Sequence, residues 1–286
     1  MTTTPLYRSV SACRFCGGED LQVILHLGPV ALPDYLSPGE EARWAPLGLV
    51  RCQRCGLVQL LHSVNKDVLY RHYFYRSGAS GTMRAALMDI VEAVQKTRPV
   101  EPGDLVVDIG ANDGYLLSLY PMGTLKIGYE PAENLVEEAR ATGAIIIPEF
   151  FGSPNGYRPR NKAAVVTAAA MFYDIDTPQE FCNAMREVMA DDGIGIIQMN
   201  DLYSLVASMT FDIIGHEHLA LWPLQALMEC LERAGLGVFR VEHLPLNGGT
   251  ARVWLCTLGR RPKEQNVLDQ LERERQLFTA ETFRDF

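Results

Sequence analysis

The chain of 286 residues lacks the features of a membrane or nucleic-acid-binding protein. No apolar run approaches the roughly 20 residues that span a bilayer. Lysine and arginine number 26 against 35 acidic residues, and the resulting net charge of −9 argues against a partner that tracks phosphates. Residues 1–4 lack the charged and apolar regions of a signal peptide, so we expect a cytoplasmic protein. The sequence also has no internal repeat and no low-complexity segment.

Two Cys-x-x-Cys pairs, Cys13 with Cys16 and Cys52 with Cys55, account for four of the seven cysteines. In a cytoplasmic protein, two such pairs are typical of a single tetrahedral zinc site rather than of disulfides. A redox pair would explain one of them but not both. Because four thiolates leave no open coordination position, the zinc is expected to be structural. The other cysteines lie in apolar surroundings and are expected in the core: Cys182, Cys230 and Cys256.

The segment Leu105–Gly114 carries the clearest signal for a ligand site. An apolar run typical of a buried parallel strand ends at Asp108, and Gly110 and Gly114 follow before a helical pattern begins. Twenty residues after Gly110, a second predicted strand delivers Glu130. An acid at this spacing accepts hydrogen bonds from ribose hydroxyls in nucleotide-binding folds. The alternative is an ordinary strand-to-helix turn with a solvated Glu130.

Asn112 stands where a dinucleotide-binding fingerprint has its middle glycine. That glycine lets the backbone approach a pyrophosphate, so its absence favours a nucleoside ligand without phosphates. The pattern Asp-x-Gly-x-x-x-Gly with a later acid resembles the S-adenosylmethionine site of class I methyltransferases.

The rest of the chain alternates predicted strands and helices, which indicates an α/β fold with a doubly wound parallel sheet. A zinc-binding module is expected over residues 1–72, the methyltransferase-like sheet domain over 73–261, and a helical tail belonging to neither over 262–286. Helices are predicted near residues 82–97, 132–141, 178–191, 223–234 and 265–279, the third after a capping box that starts at Thr177. Strands are predicted near 144–147, 163–168, 194–199, 238–241 and 251–258.

The sequence His216-Glu217-His218 concentrates candidate catalytic groups. Its spacing differs from the His-Glu-x-x-His pattern of zinc proteases, and adjacent side chains point in different directions, which argues against a metal site. A histidine oriented by a carboxylate suits proton transfer near neutral pH, and a hydrogen-bonded loop histidine is the alternative. Farther along, Asn247, Gly248 and Arg252 could bind a polar or anionic substrate or could belong to a hairpin turn.

These motifs occur in a characteristic order. After the cysteine pairs come Tyr73-Phe74-Tyr75-Arg76-Ser77, Asp108-x-Gly110, Glu130-Pro131, Phe211-Asp212, His216-Glu217-His218, Gly248-Gly249-Thr250 and Arg252. Along almost its whole length the chain resembles the zinc-containing sugar C-methyltransferases, which methylate carbon 3 of 4-keto deoxysugar nucleotides. The resemblance implies a class I methyltransferase fold, a nucleotide-sugar substrate and an enolate that attacks the methyl sulfonium. The cofactor residues that it implies are Tyr75, Asp108, Gly110, Asn112, Gly114, Glu130 and Pro131.

In this family Glu217 and His218 would take part in proton abstraction. The chain departs from the family at Gly215, where a tyrosine is usual, and at Phe172-Tyr173-Asp174 and Asn247, where histidines are common. It also stops near the expected start of a further domain that covers the nucleotide sugar. Two other functions therefore stay open, an O- or N-methyltransferase with His218 as base and a catalytically impaired remnant that only binds cofactor. The sequence does not indicate the oligomeric state.

Overall fold

The computed structural model describes residues 5–33, 36 and 38–285. The strands are β1 (Tyr7–Ser9), β2 (Leu21–Ala31), β3 (Trp44–Cys52), β4 (Val58–Leu60), β5 (His62–Val64), β6 (Leu105–Ile109), β7 (Leu125–Tyr129), β8 (Ile145–Ile147), β9 (Ala163–Ala169), β10 (Met189–Met199), β11 (Ala220–Leu221), β12 (Leu236–Leu244) and β13 (Thr250–Thr257). The helices are α1 (Lys66–Tyr70), α2 (Gly81–Thr97), α3 (Tyr115–Ser118), α4 (Val136–Arg140), α5 (Pro178–Val188), α6 (Leu202–Ser208), α7 (Leu224–Arg233), α8 (Gln265–Leu277) and α9 (Thr282–Asp285).

A seven-stranded sheet in the order β12-β13-β10-β9-β6-β7-β8 forms the centre of the molecule. Strands β6 to β10 run parallel, whereas β13 inserts antiparallel between β10 and β12. Every residue of β6 is buried, as expected of a strand that helices cover on both faces. Separate apolar clusters fill the two sides of the sheet. The predicted doubly wound α/β fold is confirmed.

The cysteine-rich module has its own sheet, in the order β11-β4-β3-β2. Strand β11 comes from the far end of the chain, directly after the His-Glu-His segment, and pairs antiparallel with β4. The ring of Phe15, inside the first cysteine pair, packs 5.9 Å from that of Trp222, which follows β11. The sheet of the cysteine-rich module is therefore completed by a strand from a distant part of the chain, which no local sequence pattern indicated.

Several predicted boundaries shift for local reasons. Helix α5 begins at Pro178, but the Thr177 side chain makes no capping hydrogen bond, so the predicted capping box does not form. The same helix ends at Val188 instead of residue 191, because β10 begins at Met189 and pairs with β9. Helix α7 ends before Gly235, whose φ of +79° suits glycine.

The helical tail contacts β12 of the central sheet and the start of α7. Arg240 of β12 donates hydrogen bonds to both carboxylate oxygens of Glu264. Its Nε lies 2.9 Å from Oε2, and its Nη2 lies 2.9 Å from Oε1. Val267 of α8 is fully buried, and the Glu274 carboxylate accepts a 2.8 Å hydrogen bond from the Leu224 amide at the start of α7. Among the described residues, no helix is long and apolar enough to cross a bilayer.

Candidate functional site

A cavity of about 790 Å³ opens at the carboxyl ends of β6, β7, β9 and β10. This is the edge of a parallel sheet at which loops converge and ligands bind in open α/β folds. The cavity extends from the glycine-rich turn after β6 to the segments around α1 and the His-Glu-His loop. The predicted site residues that line it are Tyr75, Asp108, Gly110, Asn112, Glu130, Pro131, His218 and Asn247.

Glu130 lies at the tip of β7, where it is 5 % exposed. Its Oε2 accepts a 2.7 Å hydrogen bond from the Asn112 amide, and its Oε1 accepts one of 2.8 Å from the Ala132 amide. Burial raises the pKa of Glu130, while these two amides oppose that change. Each carboxylate oxygen keeps a further acceptor position, so the side chain can still receive two ribose hydroxyls.

Asp108 lies beneath the same turn and accepts a 2.5 Å hydrogen bond from the Thr167 hydroxyl. Burial raises the pKa of Asp108 to about 7, and the nearby Glu130 carboxylate adds to the rise. Asp108 is therefore a second acidic group beside Glu130 on the cavity wall, and its charge depends on pH near neutrality.

Asn112 connects the glycine-rich turn after β6 to the aromatic segment of residues 73–77, which precedes α2. Its Nδ2 donates to the Tyr75 carbonyl at 3.0 Å, and its Oδ1 accepts from the Ser77 amide at 2.9 Å. Asn112 also has a φ of +52°, a conformation that asparagine tolerates better than most residues. The residue that replaces the fingerprint glycine thus holds Tyr75 against the cavity.

The two glycines of the turn have different surroundings. Gly110 lines the cavity with a φ of +74°, and a Cβ there would lie 3.2 Å from the Met171 side chain. Gly114, also expected at the cofactor, does not line the cavity. Its φ is +77°, and a Cβ there would lie 3.0 Å from Cα and the carbonyl oxygen of Ala139. Gly114 is therefore a packing requirement between the turn and α4.

The four paired cysteines converge as the sequence predicts. Their Sγ atoms all lie within 4.8 Å of one another, with Cys13 3.6 Å from Cys55 and Cys16 3.5 Å from Cys52. A zinc ion with Zn–S bonds of about 2.3 Å needs tetrahedral S–S edges of about 3.8 Å, so the cluster fits zinc closely. No other group of metal-ligating side chains with this geometry occurs in the described part of the chain, the His-Glu-His segment included.

The three candidates of the His-Glu-His segment separate in space. His216 is 2 % exposed, is absent from the cavity wall and bonds the Ala45 carbonyl on β3 through Nε2, so it anchors the loop to the zinc module. His218 lines the cavity, and its Nδ1 contacts the Ile213 carbonyl. A carbonyl only accepts, so Nδ1 carries the proton and Nε2 keeps its lone pair. Burial lowers the pKa of His218, which favours this neutral form.

Glu217 does not line the cavity and does not orient His218, because the Ile213 carbonyl holds the imidazole. Burial raises the pKa of Glu217 to about 7. Its backbone carbonyl accepts a 3.0 Å hydrogen bond from the Tyr70 hydroxyl. The carboxyl group adds negative charge next to the cavity wall when it ionises.

Two of the three predicted substrate residues lie outside the cavity wall. Arg252 is 2 % exposed and donates to Gln198 and to Asp89 of α2, both at 2.7 Å, so it joins the sheet to a helix. Gly248 has a φ of +76° and packs on Thr210. Asn247 does line the cavity, and its carbonyl accepts a 2.9 Å hydrogen bond from the Asn200 side chain.

The sequence analysis missed a group of polar residues on the cavity wall. Asn200 directly follows β10, and Asp174 ends the helical turn Phe172–Asp174 after β9, so both lie near the carboxyl ends of parallel strands, where ligands bind in this kind of sheet. Tyr70, Tyr73 and Tyr173 complete the wall around Asp174. Tyr73 and Tyr173 lie in segments that the family resemblance singles out, but only the fold shows that they meet Tyr70 on one wall.

Comparison with known proteins agrees with this geometry. A family model described as a zinc binding domain matches residues 13–70, and one described as a methyltransferase domain matches residues 79–241. The C-methyltransferase NovU of Streptomyces niveus is 30 % identical over 257 residues. That match covers 87 % of this chain and 61 % of NovU, so the chain spans about three fifths of the length of this relative.

Solved structures agree on the fold alone. PH0226 protein of Pyrococcus horikoshii matches with a TM-score of 0.52 and 12 % identity, over 64 % of this chain and 94 % of that one. A chain from the complex of the Trm112 methyltransferase activator with a methyltransferase of Haloferax volcanii matches with a TM-score of 0.50 and 17 % identity, over 63 % and 95 %. The chain therefore belongs to the zinc-binding, S-adenosylmethionine-dependent methyltransferases of the class I fold.

Proposed function

We propose that the protein methylates a carbon atom next to the ketone of a keto-deoxysugar nucleotide. The identity with the C-methyltransferase NovU supports carbon as the acceptor. The observation that carries the proposal is one continuous cavity that joins Glu130, at the nucleoside end, to the neutral His218 imidazole. We further propose residues 1–72 as the zinc module, 73–261 as the methyltransferase domain and 262–286 as a helical tail, whose α8 packs on the methyltransferase domain.

Proton removal is the step that separates C-methylation from the alternatives. A hydrogen on the carbon next to a ketone is too weakly acidic to leave unaided, so a base must take it while the electron pair moves to the carbonyl oxygen. We assign the base to Nε2 of His218, whose lone pair is free because Nδ1 donates to Ile213. S-adenosylmethionine, when bound, would supply the methyl group to the enolate carbon and would leave as S-adenosylhomocysteine once its bond from sulfur to that methyl group breaks. The proton stays on the imidazole until it returns to water.

The remaining residues hold the reactants. Glu130 and Asp108 are assigned to the nucleoside, with Gly110, Asn112, Pro131 and Tyr75 around it. Asn247 is assigned to a polar group of the substrate. The zinc, which we assign to Cys13, Cys16, Cys52 and Cys55, stabilises the module whose β4 pairs with β11 and so fixes the loop that carries His218.

Hydrogen exchange tests this proposal without methyl transfer. In D2O with S-adenosylhomocysteine and a 4-keto deoxysugar nucleotide, the wild-type protein should place deuterium on the carbon next to the ketone, as read by mass spectrometry. The substitution His218→Ala should slow this exchange by about 10²–10⁴-fold, the usual contribution of a positioned base. The exposed His26 on β2 provides the control, since His26→Ala should exchange at the wild-type rate.

The methyl position in the full reaction then decides between enzymes. A methyl group on carbon supports the proposal, whereas a product methylated on oxygen or nitrogen rejects it in favour of the alternative methyltransferase. Exchange at the wild-type rate in His218→Ala would leave carbon as the acceptor but remove His218 as the base.

A further inference from the structure

Asp174 is an unexplained carboxyl group on the cavity wall. It ends the short helical turn Phe172–Asp174 that follows β9, beside the ring of Tyr173. Its Oδ1 is inaccessible to solvent and has no hydrogen-bond partner among the residues that the structure describes. A buried acceptor without a donor is costly when it is ionised, and a carboxyl group avoids that cost by keeping its proton.

The surroundings of Asp174 favour the protonated form. Burial raises its pKa well above the ordinary value, and the Glu217 carboxylate raises it further. A hydrogen bond with the Tyr70 hydroxyl, at the end of α1, lowers the pKa of Asp174. The single proton of that hydroxyl, however, is donated to the Glu217 carbonyl oxygen. Tyr73 and Tyr173 face the same cluster and are uncharged near neutral pH.

No positive charge balances the Asp174 carboxyl group. Among the described residues, no lysine, arginine or histidine nitrogen lies within ion-pair distance of it, whereas nearby Asp176 pairs with Arg14 at 3.2 Å. Lys66 also lines the cavity, but its Nζ lies over the Phe150 ring, 4.3 Å from the ring centre. Burial lowers the pKa of His218, which favours its neutral form.

An enolate needs a hydrogen-bond donor at its oxygen, and Arg252 does not line the cavity because it is paired with Gln198 and Asp89. We propose that protonated Asp174 donates a hydrogen bond to the ketone oxygen of the substrate and stabilises the enolate that forms there. This inference rests on the proposed C-methylation. The proton of Asp174 stays on its carboxyl group, the carbon-bound proton goes to His218, and the electron pair of the broken C–H bond goes to the ketone oxygen. Preorganised donors of this kind contribute about 10²–10³ in rate.

Three variants separate a donor from a structural role in the exchange assay. Asp174→Ala removes the donor and should slow exchange by about 10²–10³-fold. Asp174→Asn keeps a hydrogen-bond donor that cannot ionise, so its exchange rate should stay within about tenfold of the wild-type rate. In the wild type, ionisation of Asp174 should lower the exchange rate at alkaline pH, and this decrease should be absent in Asp174→Asn. The control Asp67→Asn, an exposed acid on α1 that pairs with Arg71, should keep the wild-type rate and pH profile.

The outcomes are distinct. Exchange at the wild-type rate in Asp174→Ala overturns the inference, as does an unchanged alkaline limb in Asp174→Asn. Loss of S-adenosylhomocysteine binding in Asp174→Ala, measured by calorimetry, would show a structural role and also overturns it. Absence of exchange in the wild type rejects the proposed function instead. Infrared spectroscopy at pH 7 tests whether Asp174 is protonated. The wild type should show the band of a protonated carboxyl group, and Asp174→Asn should lack it; the same bands in both proteins would overturn the inference.

Discussion

Replacing Gly114 by alanine should destabilise the protein even though the residue does not line the cavity. Gly114 precedes α3 with a φ of +77°, a left-handed conformation that a Cβ disfavours by roughly 1–2 kcal/mol. The added Cβ would also lie 3.0 Å from Cα and the carbonyl oxygen of Ala139 and 3.0 Å from the Thr142 methyl group. Two of these three neighbours are backbone atoms, which cannot move without shifting α4.

The size of the effect follows from these two terms. Forcing an extra carbon into a packed site costs roughly 1–3 kcal/mol, so Gly114→Ala should lose roughly 2–5 kcal/mol in total. Gly143 offers a matched control in the same region, since its φ is +86° but a Cβ added there would meet no atom within 4 Å. Gly143→Ala should therefore lose only the conformational part, roughly 1–2 kcal/mol.

Equilibrium urea unfolding followed by circular dichroism measures both variants. The free energy of unfolding should fall further in Gly114→Ala than in Gly143→Ala, by about the 1–3 kcal/mol of the packing term. Equal losses in the two variants would refute the packing argument. A Gly114→Ala protein of wild-type stability that fails to bind S-adenosylmethionine would instead place this residue in the cofactor site.

Other expectations concern the cofactor, the zinc and the tail. Glu130→Ala should weaken S-adenosylmethionine binding, because the ribose loses its hydrogen bonds to a carboxylate, each worth roughly 1.5–3 kcal/mol. Titration calorimetry measures the affinity, and an unchanged value would place the ribose elsewhere. Cys52→Ser should abolish stoichiometric zinc, read by elemental analysis, and should impair exchange more than cofactor binding; full zinc content would contradict the site. Burial raises the pKa of Glu274 to about 8, above its value in the unfolded chain, so the folded protein holds a proton that the unfolded one releases. Stability should therefore fall as pH rises from about 4.5 to 8, and Glu274→Gln should flatten that dependence in urea titrations at several pH values; an equal slope in both proteins would contradict it.

Short-range spacing was enough to predict the main parts of the fold. The strand before Gly110 and the acid at Glu130 were recognisable because residues a few positions apart share one strand or turn, whose geometry is nearly invariant. The cysteine pairs were recognisable for the same reason, since a Cys-x-x-Cys turn presents two sulfur atoms to one metal. The alternation of strands and helices then restricted the topology to a doubly wound sheet.

The cysteine cluster, the parallel strands and the turn that brings Gly110 near Glu130 could therefore be predicted from the chain alone, because each depends on short, regular spacings. The surroundings of Arg252, His216 and Asp174 could not. Arg252 meets Asp89, His216 meets Ala45, and Asp174 lies near Glu217, all across long stretches of chain. Whether a polar side chain reaches a ligand or a buried partner depends on which distant segments pack beside it, and that follows from the packing of the whole molecule.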